Sequence, residues 1–197
     1  KDGKWKVWNT ATGEYSDYKA VPAKKLHAIS KNQSLYLIDK EGSEKVIAES
    51  TCKNITYGDI VSRNEFGISG GIFWSPDSTK VAFYRKDETK VTSFPLLDIT
   101  TRTGSLKEIK YPMAGMDSEN VQLGIYDIAT GETVYAKADD FGYDTYLTNI
   151  TWSPDAKKLY IIVLDRSQKH LKLNEYCPET GNCLNTILTE DNDKYVE

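Results

Sequence analysis

The stretch Phe73-Trp74-Ser75-Pro76-Asp77 predicts the fold, because its last four residues return as Trp152-Ser153-Pro154-Asp155 after 78 positions. In each copy the proline holds φ at about -65°, which suits the second position of a turn, and the polar neighbours suit the other positions. A strand that ends at the tryptophan can therefore reverse and pair with the next strand. Apolar runs stand where that next strand is needed, Val81 to Tyr84 after the first copy and Leu159 to Leu164 after the second.

A second turn signal, centred on Thr-Gly, also recurs. The run from Ile125 to Glu132 resembles the run from Val7 to Glu14, and Glu179-Thr180-Gly181 is a third copy. Between these signals the chain consists of apolar or alternating runs of about 4–8 residues, with no sustained helical period. The repeating unit is therefore four strands, in which the Ser-Pro-Asp turn joins the first two and the Thr-Gly turn joins the last two.

Units of four antiparallel strands and roughly 40 residues are typical of β-propeller blades. The spacing of 78 positions would hold two such blades, although the strands predicted between the two tryptophans do not divide cleanly into sets of four. With about fifteen strands in all, we predict an all-β chain that forms a partial β-propeller of about three to four four-stranded blades. A β-sandwich with accidental repeats is the alternative.

The bulk composition is that of a folded domain. The chain has 197 residues, of which 39% are hydrophobic and 27% charged, so it can bury a core. The net charge of -4 gives no reason to expect a nucleic acid or an anionic membrane as a partner. The longest apolar run, Leu159 to Leu164, is far shorter than the roughly 20 residues that span a bilayer. Because both ends fall in mid-pattern and no initiator Met is present, we expect residues 1–197 to be a fragment of a single domain from a longer protein.

The three cysteines do not match a metal site. Cys177 and Cys183 flank a turn-rich loop between two predicted strands, so they could form a disulfide if they face each other, or they could be ordinary strand residues. Their spacing is not that of a zinc site, and Cys52 is expected to pack as a small apolar side chain. Because the sequence contains no Walker loop, dinucleotide fingerprint or metal cluster, we expect neither a cofactor nor a metal.

One match to a catalytic motif is a coincidence. Gly67-Ile68-Ser69-Gly70-Gly71 fits the G-x-S-x-G pattern of a serine-hydrolase nucleophile elbow. That elbow needs a helix after the serine, whereas a predicted strand follows here. The two histidines, His27 and His170, read as isolated strand residues. We therefore expect no catalytic residue in this chain, and we expect the glycines to allow a bend or a close approach of backbone segments.

The segment before that motif carries the candidate site. A scaffold element should repeat along a propeller, whereas a binding site should occur once. In Arg63-Asn64-Glu65 a carboxylate stands beside an amide and a guanidinium, on an irregular segment that does not recur. Such an arrangement could bind an ammonium group. The alternative is an ordinary solvated ion pair in a loop.

Five segments together resemble a known family. They are Arg63 to Ile68, Phe73 to Asp77, Ala82 to Asp87, Ile109 to Gly115 and Leu147 to Asp155. With these segments the chain resembles the N-terminal β-propeller of the dipeptidyl peptidase IV family of prolyl-specific serine exopeptidases, and the bacterial prolyl tripeptidyl aminopeptidases look closest. The resemblance runs from about residue 55 to the C-terminus. Trp-Ser-Pro-Asp also occurs in many unrelated propellers, so the specific signal is Glu65-Phe66-Gly67 followed by Tyr111-Pro112-Met113-Ala114-Gly115.

The resemblance implies an eight-bladed propeller that caps an α/β-hydrolase domain. That second domain, which carries the Ser-Asp-His triad, would follow the propeller and is absent from this chain. The propeller would restrict access to the catalytic site, and a glutamate from an insertion in one blade would hold the free α-amine of the substrate. Glu65 is the residue that matches, and Asn64 and Arg63 could orient it. Typical members have two adjacent glutamates where this chain has Asn64-Glu65, so release of dipeptides or of tripeptides stays open.

We therefore expect a non-catalytic, substrate-gating propeller domain of an exopeptidase, with Glu65 as the amine anchor. The expected partners are peptides with proline near the N-terminus, the hydrolase domain of the same chain and a second copy in a homodimer. The family implies a periplasmic, cell-surface or secreted location. The alternative is a non-enzymatic propeller that serves as a protein-interaction or periplasmic binding scaffold, which would need the repeats but not Glu65.

Overall fold

The protein is built from antiparallel strands. A computed structural model of the chain describes residues 6–9, 14–17 and 26–196. Within these ranges there is no α-helix, and no helix that could cross a bilayer. The strands in chain order are β1 (Lys6–Asn9), β2 (Glu14–Asp17), β3 (His27–Lys31), β4 (Ser34–Ile38), β5 (Glu44–Ala48), β6 (Ile55–Tyr57), β7 (Ile72–Trp74), β8 (Lys80–Asp87), β9 (Ser93–Asp98), β10 (Ser105–Lys110), β11 (Asn120–Asp127), β12 (Thr133–Tyr135), β13 (Thr145–Trp152), β14 (Leu159–Asp165), β15 (His170–Tyr176) and β16 (Cys183–Asp191). The predicted Thr-Gly turn at residues 10–13 lies outside the described residues.

Two complete blades lie next to each other. In the later blade the strand order is β13-β14-β15-β16, so each strand pairs with its neighbour in sequence. In the earlier blade β8 pairs with β11 and β11 with β12, while β6 and β7 pair with successive parts of the same edge of β8. A three-stranded sheet, β3-β4-β5, and a ribbon of β1 with β2 precede them in the chain. The predicted blades therefore correspond to two complete sheets and two smaller ones.

A hairpin that belongs to neither blade separates β8 from β11. Its strands β9 and β10 pair with each other from Ser93 opposite Lys110 to Asp98 opposite Ser105, and with no other strand of the described chain. The repeated tryptophans consequently mark adjacent blades, and the prediction that their spacing holds two blades is wrong. The spacing is that of one blade lengthened by the hairpin and its connections, which is why the strands did not divide into sets of four.

The two Ser-Pro-Asp turns have the same hydrogen-bond pattern. The N–H of Ser75 donates to the carbonyl of Lys80 over 3.0 Å, and that of Ser153 donates to the carbonyl of Lys158 over 2.9 Å. In both copies the serine hydroxyl also donates to the aspartate two positions later, over 2.7 and 2.6 Å. The chain reverses at both turns as predicted, because the proline and these side-chain bonds act within the turn itself.

The carboxylate of Asp77 stabilises the first of these turns. It accepts hydrogen bonds from the hydroxyls of Ser75 and Thr79 and from the N–H of Thr79. Burial raises the pKa of Asp77, but these hydrogen bonds outweigh burial and hold the pKa below the ordinary value of 3.8. A carboxyl group with a lowered pKa contributes stability above its ordinary pKa and loses that contribution as the pH falls through the lowered value.

Asp77→Ala should therefore reduce the free energy of unfolding by roughly 1 kcal/mol at neutral pH, because it removes these hydrogen bonds. The difference from the wild type should shrink on acidification below the ordinary carboxyl pKa. Thermal unfolding of both proteins over a series of pH values measures the effect. A difference that stays constant across the acidic range would contradict the role of the charged carboxylate.

The interior lies between the sheets, and β8 contributes to it on both faces. Val81 and Phe83 pack in one cluster with Leu35 of the three-stranded sheet. Ala82 and Tyr84 pack in a second cluster with residues of β13 and β14 in the later blade. Successive residues of a strand face opposite sides, so a strand covered on both sides is apolar throughout. This burial explains the unbroken apolar run that follows the first Ser-Pro-Asp turn.

The two cysteines of the last hairpin do not face each other. The N–H of Cys177 donates to the carbonyl of Asn182, and Tyr176 stands opposite Cys183 in the pairing of β15 with β16. Cys183 therefore faces Tyr176 in the ladder, and Cys177 directly follows the end of β15. No disulfide joins them in this structure, and Cys52 is also a free thiol.

Candidate functional site

The candidate site is carried by residues 58–71, a loop that leaves the earlier blade after β6 and returns to it at β7. Both strands pair with β8, so the loop interrupts what would otherwise be one edge strand. The two ends of the loop meet at one residue of β8. The N–H of Gly58 donates to the Tyr84 carbonyl over 2.8 Å, and the N–H of Tyr84 donates to the Gly71 carbonyl over 3.0 Å. The loop is therefore closed at its base.

Only glycine fits at position 71. A Cβ atom there would overlap the carbonyl oxygen of Asp59 and lie 2.7 Å from the carbonyl carbon of Gly58, and both of these are backbone atoms. A Cβ atom on Gly70, by contrast, would have no neighbour within 4 Å. The base of the loop is thus closed by direct contact of two backbone segments, which is the close approach that the glycines predicted.

A left-handed turn, Ser62–Asn64, directly precedes Glu65. The φ angles of Ser62, Arg63 and Asn64 are 49°, 53° and 64°, a region that residues other than Gly and Asn rarely adopt. The N–H of Glu65 donates to the Ser62 carbonyl over 2.9 Å and closes the turn. Consecutive residues in this region carry a conformational cost that the surrounding structure must offset, and such strain is concentrated at functional sites.

Glu65 lines a cleft of about 310 Å³. The lining residues are Ile60, Ser62, Arg63, Glu65, Lys86, Glu88, Val91, Lys110, Pro112, Ser118, Glu119, Tyr146 and Arg166. Glu65 is exposed, and within the described ranges its carboxylate has no hydrogen-bond or salt-bridge partner. It is therefore an anionic acceptor that a cation entering the cleft could use.

The cations of the cleft, in contrast, have partners in the protein. Two of them form ion pairs, in which the Lys86 ammonium lies 3.7 Å from the Glu88 carboxylate and the Arg166 guanidinium lies 3.1 Å from the Asp144 carboxylate. The Lys110 ammonium donates a hydrogen bond to the Val91 carbonyl over 2.8 Å. The Arg63 guanidinium lies 3.8 Å from the centre of the Tyr111 ring. Burial raises the pKa of Glu88, an effect that Lys86 opposes and Glu119 reinforces. Lys86 and Arg166 are thus paired with carboxylates, whereas Lys110 and Arg63 contact uncharged groups, and Glu65 is the carboxylate of the cleft that has no partner within the described residues.

Arg63 and Asn64 act on the turn rather than on the Glu65 carboxylate. Arg63 lies over the Tyr111 ring, and in the described part of the chain it forms no ion pair with Glu65. Asn64 is among the residue types that tolerate the left-handed region, and its N–H donates to the Val61 carbonyl over 3.2 Å. Arg63 and Asn64 thus lie in the turn and Glu65 directly follows it, and their part in binding a substrate stays a prediction.

Ser69 lies in the same loop, but its surroundings differ from those of a nucleophile elbow. The residues that follow it lead into β7 rather than into a helix. His27 begins β3, and His170 bonds to Asp191 through Nδ1 over 2.6 Å. Across the described ranges, no three metal-ligating side chains converge on one point.

Sequence reasoning missed two residues that hold the loop. Glu119 accepts a hydrogen bond from the backbone N–H of Ser62 over 2.6 Å. The ring of Tyr146 lies 4.6 Å from that of Phe66, centre to centre. Both contacts join distant parts of the chain. The only signal for Glu119 was its position shortly after Tyr111-Pro112-Met113-Ala114-Gly115, which belongs to the specific pattern of the resemblance.

Comparison with known proteins gives consistent matches. A family model described as the dipeptidyl peptidase IV (DPP IV) N-terminal region matches residues 3–197. The protein named Probable dipeptidyl-aminopeptidase B from Phaeosphaeria nodorum is 31% identical over 163 residues, which cover 73% of this chain and 18% of that protein. Dipeptidyl-aminopeptidase B from Aspergillus niger is 31% identical over 156 residues, which cover 70% of this chain and 17% of that protein. The chain spans less than a fifth of the length of these curated relatives.

Two solved structures resemble the chain over nearly all of its length. A Bacteroides ovatus protein that carries the name "putative dipeptidyl aminopeptidase IV" is 41% identical with a TM-score of 0.77, and the match covers 100% of this chain and 25% of that one. Porphyromonas gingivalis dipeptidyl peptidase 4 is 20% identical with a TM-score of 0.79, covering 98% of this chain and 29% of that one, and it bears on the fold alone. The prediction of an all-β partial β-propeller is confirmed.

Proposed function

Since this chain belongs to the family of dipeptidyl peptidase IV N-terminal regions, we propose that it is the substrate-gating, non-catalytic part of a prolyl-specific serine exopeptidase. In this proposal a C-terminal α/β-hydrolase domain of the same protein supplies the Ser-Asp-His triad. Glu65 holds the free α-amine of the substrate, and the enzyme releases N-terminal di- or tripeptides. The substrates are peptides with proline near the N-terminus.

The observation that most supports this function is the carboxylate of Glu65, which has no partner in the described part of the chain. It lines the cleft, and it follows a strained turn on a loop that is closed at its base. A protonated α-amine would form a charge-assisted hydrogen bond with this carboxylate, which is stronger than a bond between neutral groups. With the amine held at one place, the distance to the catalytic serine would set how many residues are released.

Blocking the substrate amine tests the proposal. The full-length protein that carries this chain should hydrolyse free-amine Xaa-Pro or Xaa-Xaa-Pro chromogenic reporters at least about tenfold more efficiently, in kcat/KM, than their N-acetylated forms. The reason is that acetylation removes the positive charge that Glu65 would receive. The preferred length of the free-amine reporter distinguishes dipeptide from tripeptide release.

Equal hydrolysis of free and acetylated reporters would contradict the amine anchor. Hydrolysis of neither reporter by the full-length protein would favour the non-enzymatic propeller instead. Residues 1–197 alone are expected to hydrolyse neither reporter, because the proposed triad lies in another domain. Activity of these residues alone would overturn the rejection of Ser69 as a nucleophile.

Three further parts of the proposal await their own tests. The parent protein is expected in the periplasm, at the cell surface or outside the cell. It is expected to form a homodimer, and its propeller is expected to have eight blades. Fractionation, light scattering and a structure of the full-length protein would test these expectations in turn.

A further inference from the structure

One segment, residues 111–119, contacts the left-handed turn at two points. Tyr111 lies beneath the Arg63 guanidinium, with 3.8 Å between the guanidinium carbon and the ring centre. Glu119 accepts a hydrogen bond from the backbone N–H of Ser62 through Oε1, over 2.6 Å. The two contacts hold successive residues of the turn that directly precedes Glu65.

Ser62 is a residue whose N–H needs an acceptor. It is only 9% exposed, and its own carbonyl already receives the N–H that closes the turn. A buried N–H without a partner would destabilise a turn that is strained in any case. The Oε1 atom of Glu119 supplies that acceptor over 2.6 Å.

The 111–119 segment is itself attached to both complete blades. Glu119 directly precedes β11, whose first residue, Asn120, pairs with Asp87 of β8. In the middle of the segment, the Met116 carbonyl accepts a hydrogen bond over 2.8 Å from Arg166, which also bonds to Asp144 over 3.1 Å. Arg166 follows β14 and Asp144 precedes β13, so these contacts come from the later blade. The acceptor for Ser62 therefore sits on a supported part of the fold.

We propose that Glu119 is a positioning residue for the amine site. By accepting the Ser62 N–H it keeps the left-handed turn in place, and the turn in turn keeps the Glu65 carboxylate in the cleft. The inference rests on the proposed function of Glu65 and adds a second residue to that site. In this role the length of the Glu119 side chain matters, because it brings an acceptor oxygen to the Ser62 N–H, and the charge of the side chain does not.

Two substitutions in the full-length protein separate the effect of side-chain length from the effect of charge. Glu119→Gln keeps an oxygen at the same distance and loses the charge, so KM for the free-amine reporter should stay within about twofold of the wild type. Glu119→Asp keeps the charge but is one methylene shorter, so it should raise KM about tenfold, as should Glu119→Ala. In all three variants kcat should change less than about twofold, because the amine is bound equally in the ground state and the transition state.

The inference is overturned if Glu119→Asp and Glu119→Ala match the wild type, or if Glu119→Gln loses as much as Glu119→Ala. Thermal unfolding of each variant identifies a loss that comes from misfolding. If Glu119→Ala does not fold, the aspartate and glutamine variants still decide the question. Glu65→Ala distinguishes the two levels of the proposal. If Glu65→Ala still prefers free-amine reporters, the proposed function is contradicted. If Glu65→Ala loses that preference but the Glu119 variants keep it, only the inference about Glu119 is contradicted.

Discussion

Glu65→Ala is expected to lower kcat/KM for free-amine peptide reporters by tens- to thousands-fold in the full-length protein. This range corresponds to the roughly 2–5 kcal/mol that truncation of one partner of a buried, hydrogen-bonded charge pair costs, because the proposed hydrolase domain and the bound peptide would cover the carboxylate that is exposed in this chain. Much of that cost would arise because the substrate ammonium enters the cleft without a carboxylate to receive it. The other carboxylates do not replace Glu65, since Glu88 lies beside Lys86 and Glu119 accepts the Ser62 N–H.

Three comparisons make the Glu65 result specific. N-acetylated reporters should be hydrolysed equally by Glu65→Ala and the wild type, because they carry no ammonium. Glu65→Gln should lose nearly as much as Glu65→Ala, because it keeps the size of the side chain and loses its charge. Glu132→Ala, which changes an exposed glutamate at a Thr-Gly turn, should match the wild type. Wild-type kinetics of Glu65→Ala would make Glu65 an ordinary loop residue and leave the family membership without a located site.

Gly71→Ala is expected to lower kcat/KM for free-amine reporters about a hundredfold, although position 71 is not among the residues that line the cleft. The added methyl group would overlap the Asp59 carbonyl, and a backbone segment cannot move aside as a flexible side chain can. The base of the loop must then open, which disturbs the hydrogen bonds of Gly58 and Gly71 to Tyr84. A displacement of about 1 Å at a substrate-positioning group is enough for an effect of this size.

The same substitution should reduce the free energy of unfolding by about 3 kcal/mol, the upper part of the range for overpacked sites. Gly70→Ala is the matched control, because the same methyl group one residue earlier meets no atom within 4 Å. It should leave both kinetics and unfolding close to the wild type. Kinetics and thermal unfolding of the two variants, measured side by side, test the backbone contact. Equal behaviour of the two variants would contradict it.

The blades were predictable because their signals are local. Pro76 and Pro154 each restrict their own φ angle, and the neighbouring serine and aspartate bond to each other inside the same turn. The apolar run from Val81 to Tyr84 indicates a strand, which the structure shows to be covered on both faces. The blade count between the repeats was wrong because the β9–β10 hairpin has the same local signals as two blade strands. Only the pairing partners of a strand show whether it belongs to a blade.

Local sequence marked Glu65 as a charged residue in a segment that does not repeat, and the family resemblance made it the predicted amine anchor. It was not enough to show what positions Glu65, because those contacts join residues that only the folded chain brings together. Ser62 and Glu119 are 57 positions apart, and their hydrogen bond depends on where β11 starts relative to β8. The closure of the loop base likewise depends on both ends pairing with Tyr84. Strands and turns follow from the preferences of neighbouring residues, whereas the position of the Glu65 carboxylate follows from the register of the sheet, which no single segment encodes.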